Sequence, residues 1–454
     1  MTKAPPRHRA PLQSPGFSGF LADDAAVLAE FAGAQERLLA SLAPKPQRDP
    51  AQTSVAEEVF ARTRAARREF LALHTDDVYD VLTEHRTRHL RLPDLVRAAA
   101  RRFPGLVPDE EMMAAESAVV QAHKEGREID QGIFCAAVLG SPVAGPHLVD
   151  AMLLPVARSL DLADRFRAIG RVELDSVLVE LRGAAAHVTF RNGHALNAED
   201  NRLIADLETA VDLVLLDDRV RVGVLRGGPV DHPRYRDRRV FSAGINLKEL
   251  RNGHISFVDF LLGRELGYLH KMQRGLLTAP EHRTWSDRTV QKPWIGAVET
   301  FAIGGGMQLL LVLDRVIAES GAFLSLPAAE EGIVPGLGNL RLTRATGARL
   351  ARRIILDGHR VTVPSSEADT LVDEVVPSGE MDAAIDRAVD RLSAPAVAAN
   401  RRMLTLAEEP PDAFRTYLAE FAVTQVVRAY SPDVLEKVER RWQRSREAHA
   451  EQRR

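Results

Sequence analysis

From Asp23 to about Arg167 apolar positions recur at three- and four-residue spacing, as in Val55, Val59 and Phe60 or Val78, Val81 and Leu82. That period places them on one face of a helix. Strand-like alternation is absent and β-branched runs are scarce. Prolines at 93, 104, 108, 142 and 155 punctuate the segment. The pattern predicts an all-helical N-terminal domain over 23–170, preceded by a loose, Pro-rich polar arm over 1–22. Near Val172 the period changes. Ser176–Arg182 and Ala186–Phe190 alternate as strands around Gly183, Asn201–Leu216 reads as a helix, and Val220–Leu225 reads as a buried strand ending at Gly227-Gly228. Strand, helix and strand joined by short links predict parallel β-α-β units, hence an α/β core over 171–378.

Further along, Ile295–Val298 and Arg315–Ala318 read as short strands, Leu326–Gly338 as a loop, and about Leu340 to Leu356 as a helix. Ser365 is expected to open another helix, with Pro364-Ser-Ser-Glu367 as its cap. Residues 379–454 read as helical and highly charged. No internal repeat stands out.

A chain of 454 residues is long enough for two domains and a large core. A net charge of −3 carries no polyanion-binding signature, so nucleic acid is not an expected partner, despite the basic stretch Arg234–Arg239. The single cysteine, Cys135, rules out an intrachain disulfide and a thiolate metal cage, and is expected to be a buried small hydrophobe. There is no apolar leader at the N-terminus and no uninterrupted apolar span of membrane length, so a cytoplasmic protein without membrane attachment is expected. His85 and His89 have i, i+4 spacing suited to a metal, but the arginines at 86 and 88 and the missing third ligand favour a solvated basic helix face.

Two stretches carry candidate chemistry. In Trp294–Asp314 a buried strand leads to Gly304, Gly305 and Gly306, and the apolar run Met307–Leu313 then reads as a helix. In Arg239–Leu250 a strand passes through Ser242-Ala-Gly-Ile245 into a helix. Each turn presents free backbone N–H donors, suited to an anion or to an oxygen that becomes anionic during reaction. Together the stretches resemble the crotonase (enoyl-CoA hydratase/isomerase) superfamily. Its pattern is an A-G-x-[DN]-[LI] turn followed tens of residues later by a G-G-G-x-[EQ]-L turn, and Ala243-Gly-Ile-Asn-Leu247 matches the first at every fixed position. The resemblance implies a core of repeated ββα units and an oxyanion hole for an acyl-CoA thioester, formed by the N–H groups of Ile245 and Gly305. Ala243, Gly244, Asn246, Leu247, Gly304 and Gly306 would frame it. It also implies that C-terminal helices pack on a neighbouring subunit and close the CoA site, in a trimer or a dimer of trimers.

Hydration by this superfamily uses two glutamates, one to activate water and one to deliver a proton. Here Gln308 stands at the first position, and an amide takes no proton at neutral pH. In the loop Pro327-Ala-Ala-Glu-Glu-Gly-Ile-Val-Pro-Gly336, Ala328 stands at the second, with Glu330 and Glu331 out of register. The surviving chemistry must therefore rest on enolate stabilisation, with a substrate whose α-proton is already acidic.

The helical domain ahead of the core, with Gln308 and Ala328 at the glutamate positions, resembles one branch of the superfamily, the dihydroxyphenylacetyl-CoA dioxygenases that supply dihydroxyphenylglycine for glycopeptide antibiotics. The resemblance implies a reaction with molecular oxygen that needs neither metal nor organic cofactor. Glu199 and Arg264 would contact the substrate ring, Gln308 would orient substrate or oxygen, and His194 and His232 would contact CoA. Met307, Ile333, Val334 and Leu337 would line a dry oxygen pocket. Rival readings are an oxygen-independent isomerase or hydrolase using Glu330 or Glu331 as a displaced base, and a catalytically silent acyl-CoA-binding scaffold.

Overall fold

The computed structural model describes residues 15–278 and 289–440, so most of the expected N-terminal arm and the last fourteen positions lie outside the described residues. Up to Ile169 the regular elements are helices: α1 (Leu21–Ala40), α2 (Pro50–Leu82), α3 (Leu92–Arg102), α4 (Glu110–Ser117), α5 (Arg127–Gly140), α6 (Ala144–Met152) and α7 (Ala157–Ile169). Asp49 and Asp109 cap α2 and α4 by accepting from the N–H groups of Gln52 and Met112, both at 2.8 Å. Cys135 is fully buried within α5. His85 and His89 depart from expectation. The helix ends at Leu82, and Glu84, His85 and Arg86 turn through positive φ, so the two histidines share no helix face. His89 instead lies against the ring of His147, 4.4 Å between centroids.

The sheet follows. β1 (Arg171–Glu173), β2 (Val177–Arg182) and β3 (Ala185–Phe190) run antiparallel. Then come α8 (Asn201–Leu216) and β4 (Val222–Gly227), parallel to β3. A long excursion carries α9 (Leu247–Arg251), a π-helical turn at Phe257–Leu262, α10 (Gly263–Leu266), α11 (Tyr268–Arg274) and a two-residue ribbon, β5 (Leu276–Leu277) with β6 (Thr289–Val290). β7 (Trp294–Val298) returns to the sheet. β8 (Phe301–Ile303) leads into α12 (Gly305–Leu310), followed by β9 (Arg315–Glu319), β10 (Phe323–Ser325), α13 (Ala328–Glu331), α14 (Gly338–Leu356), β11 (Val361–Thr362) and β12 (Glu374–Val376). The main sheet has the order β1-β2-β3-β4-β7-β9-β12, parallel from β3 onward, and β11, β10 and β8 form a small second sheet. Strands buried on both faces, such as Trp294–Val298, are what a covered parallel sheet requires.

Ser365 starts no α-helix. Its hydroxyl does accept from the Ala368 N–H at 3.1 Å, but only one 3-10 turn, Ala368–Thr370, follows, because Asp373 must enter β12 pairing within a few residues. α14 is broken at Gly347, where φ is 76°.

The last helices are α15 (Met381–Leu392), α16 (Pro395–Glu408) and α17 (Pro411–Ala429). The resemblance places such helices on a neighbouring subunit; here α17 packs on α5 of its own chain. Phe414, Leu418, Phe421, Ala422 and Val426 join one apolar core with Ile129, Ile133, Phe134 and Val138, and that core also takes in Phe257, Leu262 and Leu266. A β-carbon on Gly132 would stand 2.6 Å from Val426, so the two helices touch closely there. Arg415 donates to the carbonyls of Leu139, Gly140 and Ser141 at 2.6–3.1 Å, satisfying the free C-terminal acceptors of α5. The N-terminal helices, the excursion and α17 thus form one body, and the cleft opens where that body meets the sheet.

Candidate active site

Three loops at the carboxyl ends of the parallel strands are laced together by backbone hydrogen bonds. Ile303 N–H donates to Ser242 at 2.9 Å, Glu199 N–H to Gly244 at 2.7 Å, and Asn246 N–H to Glu199 at 2.8 Å. This lacing sets the 242–246 turn against the glycine turn: a β-carbon on Gly244 would lie 3.0 Å from the Ile303 carbonyl and 3.3 Å from Gly305 N. Among the described residues, the Ile245 and Gly305 N–H groups have no acceptor in a loop or turn. Gly305 opens α12, so it has no intrahelical acceptor either. Both residues line a cleft of about 330 Å³.

Beneath the turns lies a buried charged cluster. Arg264 Nε donates to both Glu199 carboxylate oxygens, at 3.2 and 3.1 Å, and Nη2 donates to Glu199 Oε1 at 3.1 Å and to the Gly305 carbonyl at 2.8 Å. Nη1 donates to Glu265 Oε1 at 2.9 Å and to Gln308 Oε1 at 3.1 Å. Tyr268 adds a hydroxyl donor to Glu199 Oε1 at 2.9 Å. One guanidinium thus ties Glu199, the glycine turn, a second glutamate and the amide into one frame. Glycine at 305 leaves room for Glu199, because a β-carbon there would lie 1.9 Å from Glu199 Oε2 and displace a carboxylate that Arg264 holds.

Burial opposes the Arg264 charge, but Glu199, Tyr268 and Glu265 outweigh it and hold the group above its ordinary pKa. Burial also raises the Tyr268 phenol well above its ordinary value, so it serves as a donor. Burial pushes the Glu265 carboxyl up as well, against the pull of Arg264 and Arg341.

The opposite wall comes from the helical body. Phe260 and Leu261 of the π-helical turn and Phe421 of α17 bring apolar surface to the cleft. α17 also anchors the 332–336 loop: Gln425 Oε1 accepts from Val334 N–H at 2.7 Å, and the Tyr417 hydroxyl donates to the Gly336 carbonyl at 3.1 Å.

A family model described as enoyl-CoA hydratase/isomerase matches residues 180–409. The chain is 54% identical to a (3,5-dihydroxyphenyl)acetyl-CoA 1,2-dioxygenase of Amycolatopsis orientalis, over 91% of this chain and 95% of that one. The chain belongs to the enoyl-CoA hydratase/isomerase, or crotonase, family. It is also 33% identical to a protein named probable enoyl-CoA hydratase from Rhizobium meliloti (strain 1021), over 52% of this chain and 85% of that one. An enoyl-CoA hydratase/isomerase structure from Xanthobacter autotrophicus Py2 superposes with a TM-score of 0.50, covering 62% of this chain and 99% of that one, at 22% identity, which speaks to the fold alone. The helical region preceding residue 180 lies outside the family match.

Within this crotonase cleft the structure gathers Glu199, Ala243, Gly244, Ile245, Leu247, Arg264, Gly304, Gly305, Gln308, Ile333 and Val334. Other expected residues stand elsewhere. Asn246 does not line the cleft; its side chain caps α9 by accepting from the Glu249 N–H at 3.4 Å. Gly306 packs against Ser242, where a β-carbon would come within 2.7 Å. Met307 and Leu337 are fully buried and belong to the cores behind the cleft wall. His194 is exposed in a 3-10 turn, and His232 stacks at 5.5 Å from Tyr235; neither reaches the cleft. The loop glutamates do line it, with Glu330 exposed at the rim against Gly358.

Glu265, Tyr268, Phe260, Phe421 and Gln425 escaped the sequence reading. The one available signal was Glu265, which adjoins Arg264 in a segment with few other charges.

Proposed function

We propose that the protein is a dioxygenase that converts 3,5-dihydroxyphenylacetyl-CoA and O2 to 3,5-dihydroxyphenylglyoxylate and CoA without metal or organic cofactor. The observation that carries the reading is the 54% identity to a dioxygenase of that name, spanning 95% of its length. The cleft supports it: the two free N–H groups of an oxyanion hole are kept, while Gln308 and Ala328 occupy the positions at which hydration needs carboxylates.

In this reading the thioester carbonyl accepts from Ile245 and Gly305. Loss of the α-proton leaves an enolate whose charge is shared with the aryl ring, and the two N–H donors meet the oxygen where that charge accumulates. Glu199 Oε2 accepts from Arg264 Nε alone among the described residues, which leaves it capacity for a phenol hydroxyl. Arg264 holds Glu199 in place, and Gln308, whose oxygen is engaged by Arg264, turns its NH2 group to substrate or oxygen.

An electron-rich enolate can itself reduce O2 by one electron, so the chemistry calls for no metal. Recombination at the α-carbon gives a peroxide that attacks the thioester carbonyl. The attack expels the CoA thiolate, and cleavage of the O–O bond with loss of the second α-proton leaves the α-keto acid with both oxygen atoms incorporated. Ile333, Val334, Phe260 and Leu261 supply an apolar wall that keeps water from the enolate.

The reading extends to a cytoplasmic homo-oligomer, a trimer or dimer of trimers, which sedimentation would test. Among the described residues no single helix is long and apolar enough to cross a membrane.

The decisive experiment follows dissolved oxygen with an electrode as 3,5-dihydroxyphenylacetyl-CoA is added to metal-stripped protein. The expected result is uptake equal to CoA release and unaffected by chelator. CoA release or isomerisation without uptake would establish an oxygen-independent crotonase instead. Tight binding without turnover would establish a silent acyl-CoA-binding protein.

A further inference from the structure

The proposed reaction needs a base for the α-proton, and neither position that carries a carboxylate in crotonase hydratases holds one here. The cleft nevertheless contains a second buried carboxylate. Glu265 is 2% exposed and lines the cleft. Its Oε1 accepts from Arg264 Nη1 at 2.9 Å and the Leu337 backbone N–H bears on the carboxylate, whereas Oε2 makes no hydrogen bond of normal geometry among the described residues. Arg341 comes no nearer to Oε2 than 3.6 Å, and it is committed to Glu409 by hydrogen bonds of 3.0 and 3.1 Å. An unsatisfied buried carboxylate oxygen is costly, and of the carboxylates left so among the described residues Glu265 is the one that lines the cleft.

Its position fits the task. Glu265 Oε1 and the Gln308 amide oxygen share Arg264 Nη1 as donor. Both also converge on Gly336, where a β-carbon would lie 2.0 Å from Glu265 Oε1 and 3.1 Å from Gln308 Oε1. The carboxylate lost at position 308 is thus supplied beside it from α10. The ion pairs agree. Arg264 pairs with both Glu199 and Glu265, whereas Glu409 is held by both Arg341 and Arg344. Glu199 and Glu409 are each bound by two guanidinium nitrogens, so Glu265 is the member best able to take up a proton.

We propose that Glu265 is the catalytic base: Oε2 takes one α-proton of the bound arylacetyl thioester. The C–H bond breaks, an O–H bond forms on Oε2, and the electron pair passes to the thioester oxygen held by Ile245 and Gly305. The proton is then available to the departing CoA thiolate. The inference rests on the acyl-CoA reading above.

The test separates deprotonation from oxidation. Wild-type protein is incubated without oxygen in D2O with 3,5-dihydroxyphenylacetyl-CoA, and deuterium at the α-carbon is followed by mass spectrometry. Wild type is expected to exchange, and Glu265→Gln to exchange at least 100-fold more slowly, with acyl-CoA affinity within about threefold, as general-base catalysis is worth roughly 10²–10⁴-fold. Exchange by Glu265→Gln within threefold of wild type would overturn the assignment. If the glutamine variant folds poorly, Glu265→Ala is assayed at saturating acyl-CoA with added formate. Restored exchange supports a base, and its absence overturns it. Failure of the dioxygenase reading looks different: wild type would then take up no oxygen, whatever its exchange rate.

Discussion

Two buried charge clusters lie about two helical turns apart along the segment 263–274, and they differ in how completely they are hydrogen-bonded. At the far end Lys271 donates to Asp212 at 2.8 Å and pairs with Glu208 at 2.8 Å. Arg91 reaches Glu208 from α3, while the Val156 N–H and the Ser159 hydroxyl reach Asp212 at 2.7 and 2.9 Å. No buried side-chain atom of this cluster lacks a partner. At the near end Arg264 binds Glu199, Glu265 and Gln308, and Glu265 Oε2 is left over. Each cluster buries a cation against two carboxylates, although Arg91 and Glu208 are only partly buried. The satisfied cluster ties the helical body to α8; the unsatisfied one faces the cleft. Completeness of hydrogen bonding, not burial of charge, separates the tether from the reactive site.

The comparison fails first at its extremes. Glu265→Gln should lower oxygen uptake at least 100-fold while changing urea-unfolding stability by no more than ~1 kcal/mol, because neutralising an unpaired buried oxygen removes a cost as it removes one hydrogen bond to a charged group. Lys271→Met should do the reverse. Removing one partner of a buried ion network typically costs ~3–5 kcal/mol, since buried Asp212 would lose its paired cation and Glu208 would keep only Arg91. Denaturant titration of the variant should show that loss, with oxygen uptake per folded molecule within a fewfold of wild type. A catalytic collapse in Lys271→Met without loss of stability would show that the clusters are not distinct in kind.

A middle-sized effect concerns pH. Burial holds the folded-state pKa of Glu265 above the ordinary carboxylate value. The protonated form is therefore favoured in the folded chain. Its contribution to stability is fully present below the ordinary carboxylate pKa and is lost as pH rises through the folded value. Activity runs the other way, because a base must be deprotonated. The rate should climb with pH along a limb placed above the ordinary carboxylate range, and Glu265→Gln should abolish that limb while lowering the plateau. Arg264 and Arg341 pull the limb down, whereas Glu199 pushes it up. Arg341→Gln should therefore move it to higher pH. A limb that stays in place in Glu265→Gln belongs to another group.

Much of the core was legible in the chain. Asn201–Leu216 forms α8 at those bounds, and the alternation near 176–190 produces β2 and β3, because period and cap are local signals. The two glycine turns were legible for the same reason. Glu265 was not. Neighbours in a helix point about 100° apart, so nothing in the pattern says that Arg264 and Glu265 both reach one cleft. The π-helical turn at Phe257–Leu262 precedes them and shifts the register that an α-helical period would assign. Phe421 and Gln425 reach the cleft only because α17 docks on α5, a contact between positions some 290 residues apart that no local pattern announces. His194 and His232 show the converse: they stand near the turns in sequence but are not among the residues lining the cleft.

The smallest expected effect falls on the carboxylates that the sequence offers most openly. Glu330 and Glu331 stand within the loop that carries a catalytic glutamate in hydratases, shifted from its register. Register decides the outcome. Ala328 is buried at the cleft wall where that glutamate would be, and the short helix α13 turns the next residues outward, so Glu330 is exposed at the rim beside Gly358. A solvated carboxylate keeps its hydration. It also gains no approach to a proton held between the oxyanion turn and Arg264. Glu330→Gln should therefore leave oxygen uptake and anaerobic α-deuterium exchange within about threefold of wild type, a change smaller than ~0.7 kcal/mol. A 100-fold loss of exchange in Glu330→Gln, with Glu265→Gln unaffected, would move the base from the buried cluster to the rim, and the distinction between satisfied and unsatisfied clusters would no longer describe how this cleft works.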